Sequence, residues 1–175
     1  MDTESFTWNK LPVIMTSGTQ QFIQLSLQPV KFRLFLLAKL PSAFFAGLRV
    51  REMNEKECCV TVPYKWFTKN PFRSTYFACL SMAAEMSTGA LAMAHLYKRK
   101  PPVSMLVVKV ESEYFKKATG RTYFTCENGE QFQQAIETAV TSGEPQTVRA
   151  KSVGKNKEEE IVAEFFVTWS FKAKK

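Results

Sequence analysis

The chain has 175 residues, 45% hydrophobic and 23% charged, with a formal net charge of +8. That length and balance exclude a disordered chain and fit one globular domain with a sizeable core of its own. The positive excess admits polyanionic partners (nucleic acid, anionic lipid or a small phosphorylated ligand) without choosing among them.

Four cysteines are present, Cys58, Cys59, Cys79 and Cys126. They form no C-x-x-C pair and have no zinc-site spacing to a histidine, so no metal centre is expected. Cys58 and Cys59 are adjacent and on a strand would face opposite ways. All four read as reduced thiols of an intracellular protein. The opening Met1-Asp2-Thr3-Glu4-Ser5 lacks the basic and apolar regions of a secretory signal, which makes a cytoplasmic location the expectation.

Residues 1–18 read as a loose arm and 19–175 as one domain. Phe22, Ile23, Leu25, Leu27, Val30, Phe32, Leu34 and Leu36 recur at mainly helical spacing. Pro29 should kink or divide that run and Pro41 should stop it, giving one or two helices within 19–46 that pack on the domain. Residues 47–53 and 57–63 read as a β-hairpin about the turn Asn54-Glu55-Lys56. Asn70-Pro71 then signals a helix start, with Asn70 as N-cap and Pro71 at the first helical position. From Phe72 to Tyr97 there is no proline, and Leu80, Met82, Ala84, Met86, Leu91 and Ala94 occupy every side. A helix apolar all round must be buried all round. Lys98-Arg99-Lys100 suit its C-terminal end, and Pro101-Pro102 stop it.

Residues 103–111 alternate and read as a strand buried on both faces, and 121–126 as a short strand. Phe132, Ala135, Ile136 and Ala139 are at helical spacing within 129–142, ended by Gly143. Residues 147–153 and 161–172 form a last hairpin, in which Phe165, Val167, Trp169 and Phe171 share one face. The class is therefore α+β, with an antiparallel sheet wrapped around a long central helix. N-terminal helices or a partner subunit must complete the cover.

That order, with Pro63-Tyr64-Lys65-Trp66-Phe67-Thr68-Lys69-Asn70 leading into the helix and Ala84-Glu85 inside it, resembles the hotdog-fold acyl-CoA thioesterase superfamily. The likeness runs from about Leu40 to the C-terminus. It is nearest to a branch catalogued as a domain of unknown function, where a basic strand ends in Asn and the central helix carries an Ala-Glu pair. The resemblance implies a hotdog fold, hydrolysis of an acyl-CoA or related thioester, and a homodimer or dimer of dimers whose sheets join around the active sites. Coenzyme A would be part of the substrate and not a bound cofactor. The better-characterised members carry a His-Gly-Gly-like turn at the helix start, where this chain has Phe72-Arg73-Ser74-Thr75-Tyr76.

Glu85 is the only acidic residue between Asn70 and Tyr97. Burial among apolar neighbours should raise its pKa and suit it to activate water or attack a thioester. The plain alternative is a structural carboxylate paired at an interface. Asn70 is either a helix cap or, by the resemblance, a group that orients water or the substrate carbonyl. Ser74, Thr75 and Tyr76 would lie in the first helical turn, where unpaired backbone N–H groups offer an oxyanion site. His95 suits the helix end better than catalysis. Lys98, Arg99, Lys100, Lys116, Lys117, Arg121, Lys151, Lys155 and Lys157 are candidate contacts for coenzyme phosphates, with no glycine-rich phosphate loop to select among them.

The alternative to hydrolysis is a hotdog protein that binds a fatty acyl group or acyl-CoA without turnover, which the missing Gly-Gly turn favours. Residues 74–96 are long enough to span a bilayer, but Glu85 at mid-length and the strand-like flanks argue against it. Membrane association and nucleic-acid binding are not expected, the latter because charge is its sole support.

Overall fold

The computed structural model describes residues 17–174. The arm expected over 1–18 lies outside the described residues, apart from Ser17 and Gly18, which open the first helix. Three helices lead: α1 (Ser17–Leu27), α2 (Pro29–Lys39) and α3 (Pro41–Ala46). Pro29 divides α1 from α2 as expected. Pro41 ends α2 and also begins α3, because proline lacks only an N–H that the first helical turn does not use.

A six-stranded antiparallel sheet follows, built from β1 (Arg49–Met53), β2 (Cys58–Val62), β3 (Val103–Tyr114), β4 (Thr122–Cys126), β5 (Gln146–Lys155) and β6 (Ile161–Ala173). Its order is β1-β2-β4-β5-β6-β3. The central helix α4 (Phe77–Leu96) packs against β2, β4, β5 and β6, with α1 and α5 (Gly129–Ser142) alongside. This is the hotdog arrangement, an antiparallel sheet curled about one helix of about 30 Å.

The helix can sit this close because Ala83, Ala84, Ala90 and Ala94 present small buried surfaces to their neighbours, with Leu80 and Leu91 filling the spaces between larger groups. Polar bonds at several points along it help to fix its position. Ser87 donates to the Ala84 carbonyl at 2.8 Å and meets the Ser152 hydroxyl on β5 at 2.7 Å. At the far end, buried His95 reaches the Glu55 carbonyl in the β1–β2 turn at 3.0 Å. A carbonyl can only accept, so Nε2 carries the proton. Burial lowers the pKa of this imidazole and keeps it neutral, a structural role.

Three expectations need correction. The central helix begins at Phe77 and not after Asn70-Pro71. Residues 69–76 are instead held as a folded approach, with Lys69 bridged to Thr75 and the Tyr76 N–H donating to the Thr68 carbonyl at 2.7 Å. Next, β3 is not buried on both faces: it pairs only with β6 and exposes Leu106, Val108 and Val110. Finally, α4 is not covered all round. Ala78, Met82, Glu85 and Gly89 are only half-buried, Met93 is exposed, and their spacing puts them on one stripe.

Candidate functional site

Asn70 ties the approach to α4 into a knot. Its Oδ1 accepts from the Phe72 N–H at 3.0 Å, the Ser74 N–H at 3.2 Å and the Ser74 hydroxyl at 3.3 Å. The Asn70 N–H donates to the Ser74 carbonyl at 2.8 Å. Arg73 takes a left-handed conformation, φ 59°, to close the turn. Two backbone donors converge on Oδ1, which fixes the orientation of the amide and turns Nδ2 away from the turn. No partner for Nδ2 occurs among the described residues.

The expected oxyanion donors are already engaged. The Ser74 N–H goes to Asn70, the Thr75 N–H to the Ala118 carbonyl at 2.8 Å and the Tyr76 N–H to Thr68. These residues precede the helix and are not in its first turn. The open amides at its start belong to Phe77 and Ala78, the first two helical positions, which have no intrahelical acceptor. Tyr76, the N-cap, makes no side-chain cap bond.

Asn70, Ser74, Thr75 and Tyr76 do come together, as one wall of a largely apolar cleft of about 650 Å³. Phe72, Phe77 and Leu80 continue that wall, and Tyr114–Ala118 face it. A second cleft of about 620 Å³ shares Lys116, Lys117 and Ala118 with the first. It is more polar and brings Arg121 and Lys157 to the same mouth. Lys116 is held by Glu160 at 2.6 Å, whereas Lys117 and Lys157 make no ion pair among the described residues. Sequence could not group these cations, because Lys157 follows Arg121 by 36 positions, with β4, α5 and β5 in between.

Glu85 stands apart from the cleft within one chain. It follows Phe77 by eight residues, about 12 Å along the helix axis. Its carboxyl lies beside Gly89 and the Trp169 ring: a Cβ added to Gly89 would meet Trp169 at 3.1 Å and Glu85 Oε1 at 3.2 Å. The Trp169 indole N–H does not serve it, since that donor goes to Thr88 Oγ1 at 2.9 Å. The Glu85 carboxyl has no hydrogen-bond or ion-pair partner among the described residues. Burial therefore raises its pKa with nothing to offset the lost hydration. Sequence reading did not single out Trp169; its place in the alternation of the last strand gave its face but not its neighbour.

No cluster of His, Cys, Asp or Glu suited to a metal occurs among the described residues. Residues 30–170 match a family model described as a domain of unknown function, DUF4442. Among curated proteins, the comparison finds no match. Similar solved structures include a protein of unknown function from Pseudomonas aeruginosa, described as a probable thioesterase, at TM-score 0.72 and 17% identity over 91% of this chain and 99% of that one. A protein of unknown function from Chlorobaculum tepidum aligns at TM-score 0.67 and 16% identity over 85% of this chain and 99% of its own. A Haemophilus influenzae thioesterase aligns at TM-score 0.59 and 12% identity over 80% and 88%. At such identities the likeness speaks for the fold, and the match over most of the chain supplies the family: the chain belongs to the DUF4442 family.

Proposed function

We propose that the protein hydrolyses an acyl-CoA or related acyl thioester, with Glu85 as general base. The observation that carries this reading is a carboxyl group on the central helix, desolvated, unpartnered among the described residues, and raised in pKa. A base of that kind takes a proton from water more readily than an ordinary surface glutamate. The water oxygen would attack the thioester carbonyl. Asn70 Nδ2 and the open amides of Phe77 and Ala78 would hold the resulting oxyanion. Collapse would break the C–S bond, and the departing thiolate would take the proton from Glu85. In this reading the apolar cleft walled by Ser74, Thr75 and Tyr76 receives substrate, and Lys117 and Lys157 suit the coenzyme phosphates.

Glu85 and the cleft are too far apart in one chain to share a carbonyl, so a second copy is part of the proposal. The free edge of β3 and the uncovered stripe of α4 suit a homodimer in which Glu85 of one subunit serves the cleft of the other.

The test is thiol release from a panel of acyl-CoAs. Glu85→Gln should abolish it. Asn70→Asp, which keeps the acceptor used by Phe72 and Ser74 but removes Nδ2, should reduce it strongly. Mixing the two impaired variants under subunit exchange should raise the activity above that of either alone. Hydrolysis untouched by Glu85→Gln would refute the assignment, and ligand binding without turnover would leave the binding-protein alternative in its place.

A further inference from the structure

The N-terminal helices carry a surface that the thioesterase reading does not use. On α2, Val30, Leu34 and Leu37 are exposed along one stripe, opposite the buried pair Phe32 and Leu36. Val30 is 72% and Leu34 60% exposed. Arg33 flanks that stripe and lies 4.3 Å over the Phe44 ring. Phe44 meets Phe45 at 5.4 Å, Phe45 faces Phe67 at 6.3 Å, and Phe67 lies 6.5 Å from Trp66. Trp66 is 80% exposed at the tip of a short 3-10 turn, Trp66–Thr68. Arg33 thus links the α2 stripe to a run of aromatic rings that passes from α3 to that turn.

The charges on the segments that carry them have one sign. No Asp or Glu occurs from residue 5 to 51 or from 58 to 84. Every charged residue of these segments is therefore basic; on α2 and around the Trp66 turn they are Lys31, Arg33, Lys39, Lys65, Lys69 and Arg73, and none of these six joins an ion pair among the described residues. The acidic residues lie elsewhere in the chain, on β1 and its turn, α4, β3, α5 and the loops on either side of it, and the β5–β6 hairpin, apart from the two near the N-terminus.

Exposed Trp, Phe and Leu interleaved with Lys and Arg match the chemistry of a bilayer interface, where amphipathic rings sit at headgroup level and cations meet lipid phosphates. A second copy fits poorly, because a two-fold contact through this patch would set cations against cations with no carboxylate to answer them. We infer that the chain docks on anionic membranes through α2, α3 and the Trp66–Thr68 turn. This departs from the expectation drawn from the sequence, under which membrane association, whether spanning through α4 or peripheral through the amphipathic N-terminal region, is not expected. It stands independently of the thioester reading, since vesicle binding needs no turnover.

The experiment is co-sedimentation of the full chain with vesicles of phosphatidylcholine alone and with vesicles containing phosphatidylserine. Binding should require the anionic lipid and weaken with salt. Lys65→Ala with Lys69→Ala should lower partitioning at least about tenfold, since each cation contributes to adsorption. Leu34→Ser with Trp66→Ser should lower it through the apolar term. All four side chains are exposed, and far-UV circular dichroism would check that the fold is kept. Equal binding to both vesicle types, or none, overturns the proposal. Binding that persists in both variants places the contact elsewhere, residues 1–16 included, and also overturns it. Loss of self-association in the apolar variant without any vesicle binding would assign the face to a second copy.

Discussion

The Trp169 indole N–H donates to Thr88 Oγ1 at 2.9 Å, across the junction of β6 and α4. Thr88 passes its own proton to the Glu85 carbonyl oxygen at 2.9 Å. That indole N–H is therefore committed, and the ring stands as an apolar wall beside the acid. The arrangement keeps Glu85 desolvated without giving it a partner.

Gly89 leaves the space between that wall and the carboxyl. Gly89→Ala would favour the helix by about 0.8–1.0 kcal/mol on propensity alone. The added Cβ would stand 3.1 Å from Trp169 and 3.2 Å from Glu85 Oε1, so those side chains must give slightly. Stability should stay within about 1 kcal/mol of the parent, while thioester hydrolysis falls by severalfold or more. Unchanged kcat/KM would mean that the space above Gly89 is not where water or substrate sits.

Glu85 also makes a prediction about stability. Its folded pKa is raised, so the folded chain holds this proton to higher pH than the unfolded chain does. Stability then falls as pH rises from the ordinary glutamate range through the raised value. Glu85→Gln removes the cost of the buried charge. The variant should melt above the parent at neutral pH, and the gap should close as pH falls to and below the ordinary glutamate range. A gap that widens on acidification would mean that the carboxylate is stabilised in the fold and would contradict a desolvated base.

Much of the fold was legible because periodicity carries it. The alternation in β6 named the buried face Phe165, Val167, Trp169 and Phe171, and Pro29 divided the first helices. The site was less legible for two reasons. Asn70-Pro71 reads as a helix start on local grammar, yet long-range bonds from Thr75 to Ala118 and from Tyr76 to Thr68 hold the chain out of the helix until Phe77. The pattern of α4 promised burial on every side, because sequence gives the apolar character of Met82 and Met93 but not what faces them. Glu85 was recognisable as an acid in apolar surroundings. Its separation from Asn70 was not, since distance along the helix matters only once the cleft is placed.

The thiols give a further check. Cys58 and Cys126 face each other in register on β2 and β4 and are buried; burial raises both, Cys126 to about 12. Desolvation also raises Cys79 and half-buried Cys59. Reactivity needs the thiolate, so a disulfide reagent at neutral pH should modify the native protein slowly, Cys59 first. All four should react in denaturant. Rapid modification of Cys58 or Cys126 in the native state would mean that β2 and β4 open locally.

Gly154 tests the packing of the sheet on the core. A Cβ there would come within 2.4 Å of the fully buried Phe124 ring on β4. The ring is large and closely packed, so Gly154→Ala should cost about 1–3 kcal/mol by overpacking. Chemical denaturation would read this as a lower midpoint at similar slope. A neutral result would show that Phe124 can move aside and that this contact does not fix the β4–β5 register.

The edge of β3 decides whether two copies share a site. Twelve residues long, it pairs with β6 on one side and presents Leu106 and Val110 to solvent. A long apolar edge of this kind associates unless charge blocks it. Leu106→Lys with Val110→Lys should leave the monomer fold intact, because both side chains are exposed, and should convert a dimer to a monomer in sedimentation velocity. If Glu85 works on the partner's cleft, hydrolysis should disappear with the dimer and not recover at higher substrate. A parent protein that is already monomeric would remove the shared site. A dimer that survives the two lysines would mean that the copies join through another face, leaving the stripe of Glu85, Gly89 and Met93 uncovered by β3 pairing.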